Sequence, residues 1–201
     1  RVLQEIPIVE ADVVALIGLI EQSFPAVSIG LYAGKDWHVA QRNQWVELEA
    51  SITGETPLVT DFEAFLAQKP VVHKFLLIGE EADIAQLLAF LQEQDFPETS
   101  FYLSKANYLE ITHRSVSKGH ALALLAQMQG LSMEETLAFG DHFNDLSMLE
   151  AAGVGVAMGN APQAVQEAAD EVTADNHHNG VSLLPTSACW PCCRRTATRC
   201  W

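Results

Sequence analysis

Asp141 and Asp145 bracket the hexapeptide Gly140-Asp141-His142-Phe143-Asn144-Asp145, which directly follows the apolar run Leu137-Ala138-Phe139. A short strand is predicted from Thr136 to Phe139, so two carboxylates and an amide fall at the carboxyl edge of a sheet. Hard oxygen donors in such a place suit Mg²⁺, which keeps several waters and takes only one or two carboxylates. The same six residues have a plainer use, because Asn144 or Asp145 would also N-cap a helix from Leu146 to Ala152. The hexapeptide alone leaves both readings open.

Two further segments bear on the choice. Ser117-Lys118-Gly119 opens a predicted helix. A lysine in the first turn opposes the positive end of the helix dipole, a cost that an anion would offset, although on position alone a solvated surface lysine also explains it. Met158-Gly159-Asn160-Ala161-Pro162 follows a second predicted strand, Val154 to Ala157, with Gly159 suited to a tight turn and Pro162 to a first helical position.

The elements that must position these residues follow two grammars. Before about residue 115 the order is mixed. A helix is expected from Glu10 to Gln22, strands at Val27 to Tyr32 and Trp37 to Ala40 across a hairpin signal at Ala33 to Asp36, and helices at Arg42 to Ile52 and Asp61 to Ala67. A strand at Val71 to Ile78, a helix at Glu80 to Gln94, and strands at Ser100 to Leu103 and Tyr108 to Thr112 complete an α+β module. From Ser117 the chain alternates helix and strand, with Ser117 capping a helix through Gln129, Gly130 closing it, and a later helix from Pro162 to Ala169. That alternation is the signature of a parallel α/β sheet, whose ligands bind beyond the carboxyl ends of its strands.

Composition narrows the function. With 201 residues, 49% of them hydrophobic, the chain has enough apolar material for a core and is neither disordered nor fibrous. No apolar run reaches the ~18 residues of a membrane span. Its 26 acidic and 11 basic residues give a net charge of −15, which disfavours nucleic acid and anionic membranes as partners. No export signal is visible and residues 1 to 188 lack cysteine, which gives a cytoplasmic address by default.

Taken in order, four segments closely resemble the second half of the haloacid dehalogenase-like phosphatase superfamily, in its Cof-type subgroup with a large α/β cap. They are Ser117-Lys-Gly119, Ala138 to Gly153 around the hexapeptide, Gly155-Val-Ala-Met-Gly-Asn-Ala161, and Asn176 to Val181. Four spaced motifs in agreement carry weight that one would not. The resemblance implies an α/β fold in which residues 1–6 are a remnant of the core, 7–115 an α+β cap that sets substrate specificity, and 116–185 the second half of a Rossmann-like core. It also implies Mg²⁺-dependent hydrolysis of small phosphorylated metabolites through an aspartyl-phosphate. By position, Lys118 and Asn144 would hold the phosphate, Asp141 and Asp145 the Mg²⁺, and Asn160 would play a supporting part.

One departure from the family pattern is serious. The family's nucleophile comes from a strand followed by Asp-x-Asp-Gly-Thr, and no Asp-x-Asp occurs in these 201 residues. The expectation is therefore a chain cut before Arg1, inactive by itself, and self-associating through the sheet edge that the missing strand would cover. A non-catalytic metabolite-binding protein and an inactive truncated gene product are the alternatives. Residues 186–201 hold all four cysteines, Cys189, Cys192, Cys193 and Cys200, two of the four tryptophans and no acid, and read as a foreign tail. Zinc at Cys189 and Cys192 is disfavoured for want of a fourth ligand. His38, His73, His113 and His120 have no ligand spacing and read as surface or core residues.

Overall fold

A computed structural model of the chain describes residues 4–183. Residues 184–201, with the cysteine-rich segment, lie outside the described residues. The chain parts into two compact units between Ser115 and Val116.

The first unit is built on a six-stranded mixed sheet in the order β3-β2-β1-β4-β6-β5. β1 (Ser28–Ala33) and β2 (Asp36–Val39) form a hairpin whose two-residue loop places Gly34 at φ 62°, a conformation that favours glycine. β4 (Val72–Ile78), β5 (Thr99–Lys105) and β6 (Tyr108–His113) are likewise joined by antiparallel pairing. Alternate residues of these strands, Leu31, Phe75, Leu77, Leu109 and Ile111, share one buried core. Onto it α1 (Glu10–Ser23) lays Leu16, Ile17 and Ile20, and α4 (Glu81–Gln92) lays Ile84, Leu87 and Leu91. Each of these large side chains contributes roughly 1.5–3 kcal/mol on burial. α2 (Gln44–Thr53) packs Val46 on Trp37 and Val39 in a separate cluster. It starts two residues later than its apolar pattern predicts because Asn43 is the cap, its Oδ1 accepting from Trp45 N and Val46 N at 3.0 Å.

One strand of this unit is invisible to periodicity. β3 (Leu58–Val59) pairs parallel with β2 at His38 and Val39, and Asp61 then caps α3 (Phe62–Leu66). Each isolated histidine here has a structural partner. His38 is buried, with Nδ1 3.0 Å from Thr60 Oγ1, and His73 and His113 meet Glu5 and Glu98.

The second unit is a parallel sheet in the order β7-β8-β9, formed by β7 (Leu137–Gly140), β8 (Val154–Ala157) and β9 (Glu171–Val172). α5 (Lys118–Gln129) precedes β7, α6 (Leu146–Ala151) joins β7 to β8, and α7 (Gln163–Ala168) joins β8 to β9. Its core is small. Ala138, Leu149, Ala157, Ala161 and Val165 form it, so alanines replace the large side chains of the first unit. In place of bulk the packing uses close backbone approach. A Cβ on Gly155 would strike the carbonyl of Leu149, and one on Gly153 would strike that of Glu134. No described helix is long and apolar enough to cross a membrane.

Candidate active site

The carboxyl ends of β7 and β8 lie side by side, with Gly140 paired to Ala157 and Met158 N donating to Gly140 O at 2.9 Å. The two loops that follow them, 141–145 and 158–162, therefore meet at one edge of the sheet. α5 brings the third element. Ser117 is in extended conformation and its Oγ accepts from His120 N at 3.0 Å, which starts the helix with Lys118 at its first position. Gly119 lets this end of α5 close on α6, because a Cβ there would collide with the carbonyl of Ser147, and its N–H donates to Ser147 Oγ at 3.2 Å.

Asp145 is the centre of the arrangement. Its side chain is 5% exposed, and it turns back from the 3-10 turn Phe143–Asp145 toward the end of β7. Oδ2 accepts from Asp141 N at 2.9 Å and from His142 N at 3.2 Å, while Oδ1 pairs with Lys118 Nζ. No side-chain bond from Asp145 caps α6, and none from Asn144 does so either. α6 therefore starts without a side-chain cap, and Asp145 Oδ2, by accepting from His142 N, instead caps the start of the 3-10 turn. Gly140 is what permits this fold-back, since a Cβ there would lie 2.5 Å from Asp145 Cβ. Burial pushes the Asp145 carboxyl up, but the Lys118 hydrogen bond, the Asp141 N–H, the Lys118 charge and the His142 N–H outweigh it and hold the group below the usual carboxylate range.

Asp141 faces outward. Its Oδ2 accepts from Asn160 Nδ2 at 3.4 Å, and Asn160 Oδ1 in turn accepts from Asn176 N at 3.0 Å. Lys118, Asp141, Asp145 and Asn160 thus belong to one connected hydrogen-bond network. Asn144 is half-buried on the 3-10 turn and its side chain has no hydrogen-bond partner among the described residues. Three members were not singled out as site residues from the sequence. Ser147 and the backbone N–H groups of His142 and Asn176 take part through placement, and a backbone donor carries no residue-type signal.

The oxygen donors at this edge fit Mg²⁺. Among the described residues no three His, Cys, Asp or Glu gather as a metal site. A fully protein-built cage is thereby absent there, whereas a hydrated cation that needs one or two carboxylates finds Asp141 exposed and Asp145 beside it. The half-exposed ammonium of Lys118 uses one donor on Asp145 and keeps two others.

Residues 1–184 match the family model of the haloacid dehalogenase-like hydrolases. The chain belongs to that family. A protein of Haemophilus influenzae is 40% identical over 161 residues, 80% of this chain and 60% of that protein. The pyridoxal phosphate phosphatase YbhA of Escherichia coli is 50% identical over 74 residues, 37% of this chain and 27% of its own. Among solved structures, a haloacid dehalogenase-like hydrolase from Bacteroides thetaiotaomicron superposes with a TM-score of 0.77 at 28% identity, over 90% of this chain and 68% of that one. This hydrolase-family chain has the family's α/β fold and spans 60% of the Haemophilus relative's length, less than two thirds.

Proposed function

We propose that the second unit carries part of a Mg²⁺-dependent phosphomonoesterase site, in which Lys118 and Asp141 hold a phosphoryl group and its cation, and that the first unit serves as the cap that selects the substrate. The observation that carries this reading is the Lys118–Asp145–Asp141 arrangement at the carboxyl edge of the β7–β8 pair. In phosphoryl transfer the protein mainly positions groups and neutralises charge, and these residues are suited to that work.

Each residue has a separate task. Lys118 directs its remaining donors at phosphate oxygens. Asp145 keeps the ammonium in place and fixes the loop from which Asp141 projects, so its two oxygens are largely committed to the protein. Asp141 is the principal cation ligand, with Asp145 as the second carboxylate when its contacts are partly given up. Asn144 is free to bind phosphate and Asn160 supports Asp141. When bound, Mg²⁺ offsets the negative charge on the phosphoryl oxygens. An aspartate in line with phosphorus is needed for the covalent step, and neither Lys118 nor Asp141 is a substitute for it. On this reading the 201 residues, which contain no Asp-x-Asp, do not complete the covalent step by themselves. The substrate class is small phosphorylated metabolites, in keeping with a relative that is a pyridoxal phosphate phosphatase.

Binding tests this reading without turnover. Inorganic phosphate titrated into the Mg²⁺-supplemented chain should perturb the amide resonances of 118–120 and 140–145. Lys118→Ala should weaken the binding by about tenfold or more, the loss of one charge-assisted contact. Phosphate binding that is indifferent to Lys118→Ala would remove the lysine from the site.

A further inference from the structure

The orientation of the Asn160 side chain is fixed from behind. The turn that follows β9 is capped by Asp175, whose Oδ1 accepts from His177 N and His178 N at 2.9 Å each and lies 2.6 Å from His178 Nδ1. This leaves the N–H of Asn176, the first residue of the turn, outside the cap, and it points at Asn160 Oδ1 at 3.0 Å. A backbone N–H is only a donor, so the atom it meets must be the amide oxygen, and the amide nitrogen must face Asp141. Asn160 is therefore presented to Asp141 as a donor, and a flipped amide would set its nitrogen against the Asn176 N–H. The contact to Asp141 Oδ2 is long, 3.4 Å.

We infer that Asn176, through its backbone N–H, and the Asp175–His178 turn that aims it are positioning elements for Asn160, and that Asn160 holds Asp141 Oδ2 so that the other carboxylate oxygen is directed to a cation. The second half of this statement rests on Asp141 being the cation ligand. The first half concerns only the amide. The turn itself is held to the sheet edge by other bonds, with Gly159 N donating to Ala174 O and Thr173 Oγ1 donating to Gly180 O. Gly180 passes so close to the Ala174 carbonyl that a Cβ has no room. The aim of the Asn176 N–H is thus set by a braced loop.

The position allows a substitution that deletes one atom's function. Asn176 is the first residue of a helical turn, and Asp175 before it has φ −72° and ψ 176°. Proline is accommodated at such a position and after such a residue, and it lacks the N–H. The full chain should be compared with Asn176→Pro, Asn176→Ala, Asn160→Ala and the Asn160→Ala/Asn176→Pro double variant, using Mn²⁺ alone as probe. Asn176→Pro and Asn160→Ala should each weaken Mn²⁺ binding by roughly tenfold, the lower end for loss of an outer partner of a metal ligand. The double variant should be no weaker than either, and Asn176→Ala, which keeps the N–H, should bind as the parent does.

A second readout needs no metal. The two Asn160 side-chain amide protons should resonate apart from side-chain amides that lack a protein hydrogen bond in the parent and in Asn176→Ala, and should collapse toward them in Asn176→Pro. Unchanged Asn160 resonances in a folded Asn176→Pro chain would overturn the inference, as would equal Mn²⁺ losses in Asn176→Ala and Asn176→Pro or additive losses in the double variant. If Asp141→Asn binds Mn²⁺ like the parent, the cation assignment of Asp141 fails, and the amide resonances still decide whether Asn176 positions Asn160.

Discussion

Lys118 and Asp145, 27 residues apart in sequence, form an ion pair in which the carboxylate is 5% exposed and the ammonium 49% exposed. The asymmetry separates their work. Asp145 is an internal strut whose charge is held by protein groups, while Lys118 still meets solvent and any anion in it.

Replacing Asp145 should therefore cost stability as well as binding. Asp145→Ala leaves the N–H groups of Asp141 and His142 without their acceptor, and hydrogen bonds to a charged group are worth about 1.5–3 kcal/mol. Lys118→Ala removes only the half-exposed partner and should cost less, about 1 kcal/mol. Urea denaturation followed by amide signals from the second unit checks the order. A larger loss in Lys118→Ala than in Asp145→Ala would contradict it.

The same carboxylate predicts an acid-sensitive second unit. Its pKa is lowered on folding, so the stability it contributes is complete above the unfolded value, about 4, and is lost as pH falls through the lower folded value. The denaturation midpoint of the second unit should hold steady from pH 7 to about 5 and decline below about 4, and Asp145→Asn should blunt that decline. An unaltered acid profile in Asp145→Asn would exclude this carboxyl as its source.

Gly140→Ala is expected to act on Asp145 without touching its chemistry. The added Cβ would sit 2.5 Å from Asp145 Cβ, so the fold-back must open, at a cost of about 1–3 kcal/mol for overpacking. Phosphate and Mn²⁺ binding should fall with stability. A crystal structure of Gly140→Ala with the Lys118–Asp145 pair intact would show that the loop has room that the geometry denies.

These relationships were unevenly legible in the sequence. Caps could be read because their residue types do local work. Ser117 accepts from His120 N, and Gly130 closes α5 at φ 70°. β8 was placed at its observed bounds, Val154–Ala157, by its apolar run between glycine signals. β3 and β9 were not seen, since two residues have no period and exist as strands only by pairing with β2 and β8. The hexapeptide supported both a cap and a site, and no spacing rule foretells that Asp145 turns back onto Asp141 N, His142 N and Lys118 rather than forward onto α6. The Asn160–Asn176 contact spans 16 residues and uses a backbone donor, so no spacing rule reaches it.

Among the described residues β7 lies at the edge of its sheet, and the alanine-rich core behind it is small. Unpaired strand groups invite pairing with another chain. We expect concentration-dependent self-association in sedimentation velocity, with hydrogen-exchange protection stronger in β1, β4 and β6 than in β7 and β8. A monomer with uniform protection across both units would refute this.

Catalytic turnover gives the most direct test of the site as part of a phosphomonoesterase. The chain of 201 residues, purified free of host phosphatases, is assayed with an aryl phosphate and Mg²⁺, alongside a fusion that supplies a strand ending in Asp-x-Asp-Gly-Thr ahead of Arg1. The unfused chain should show no hydrolysis above background, and the fusion should show Mg²⁺-dependent hydrolysis that Lys118→Ala or Asp141→Ala abolishes. Hydrolysis by the unfused chain at a rate that Asp141→Ala removes, or activity in the fusion that survives both substitutions, would contradict the assignment.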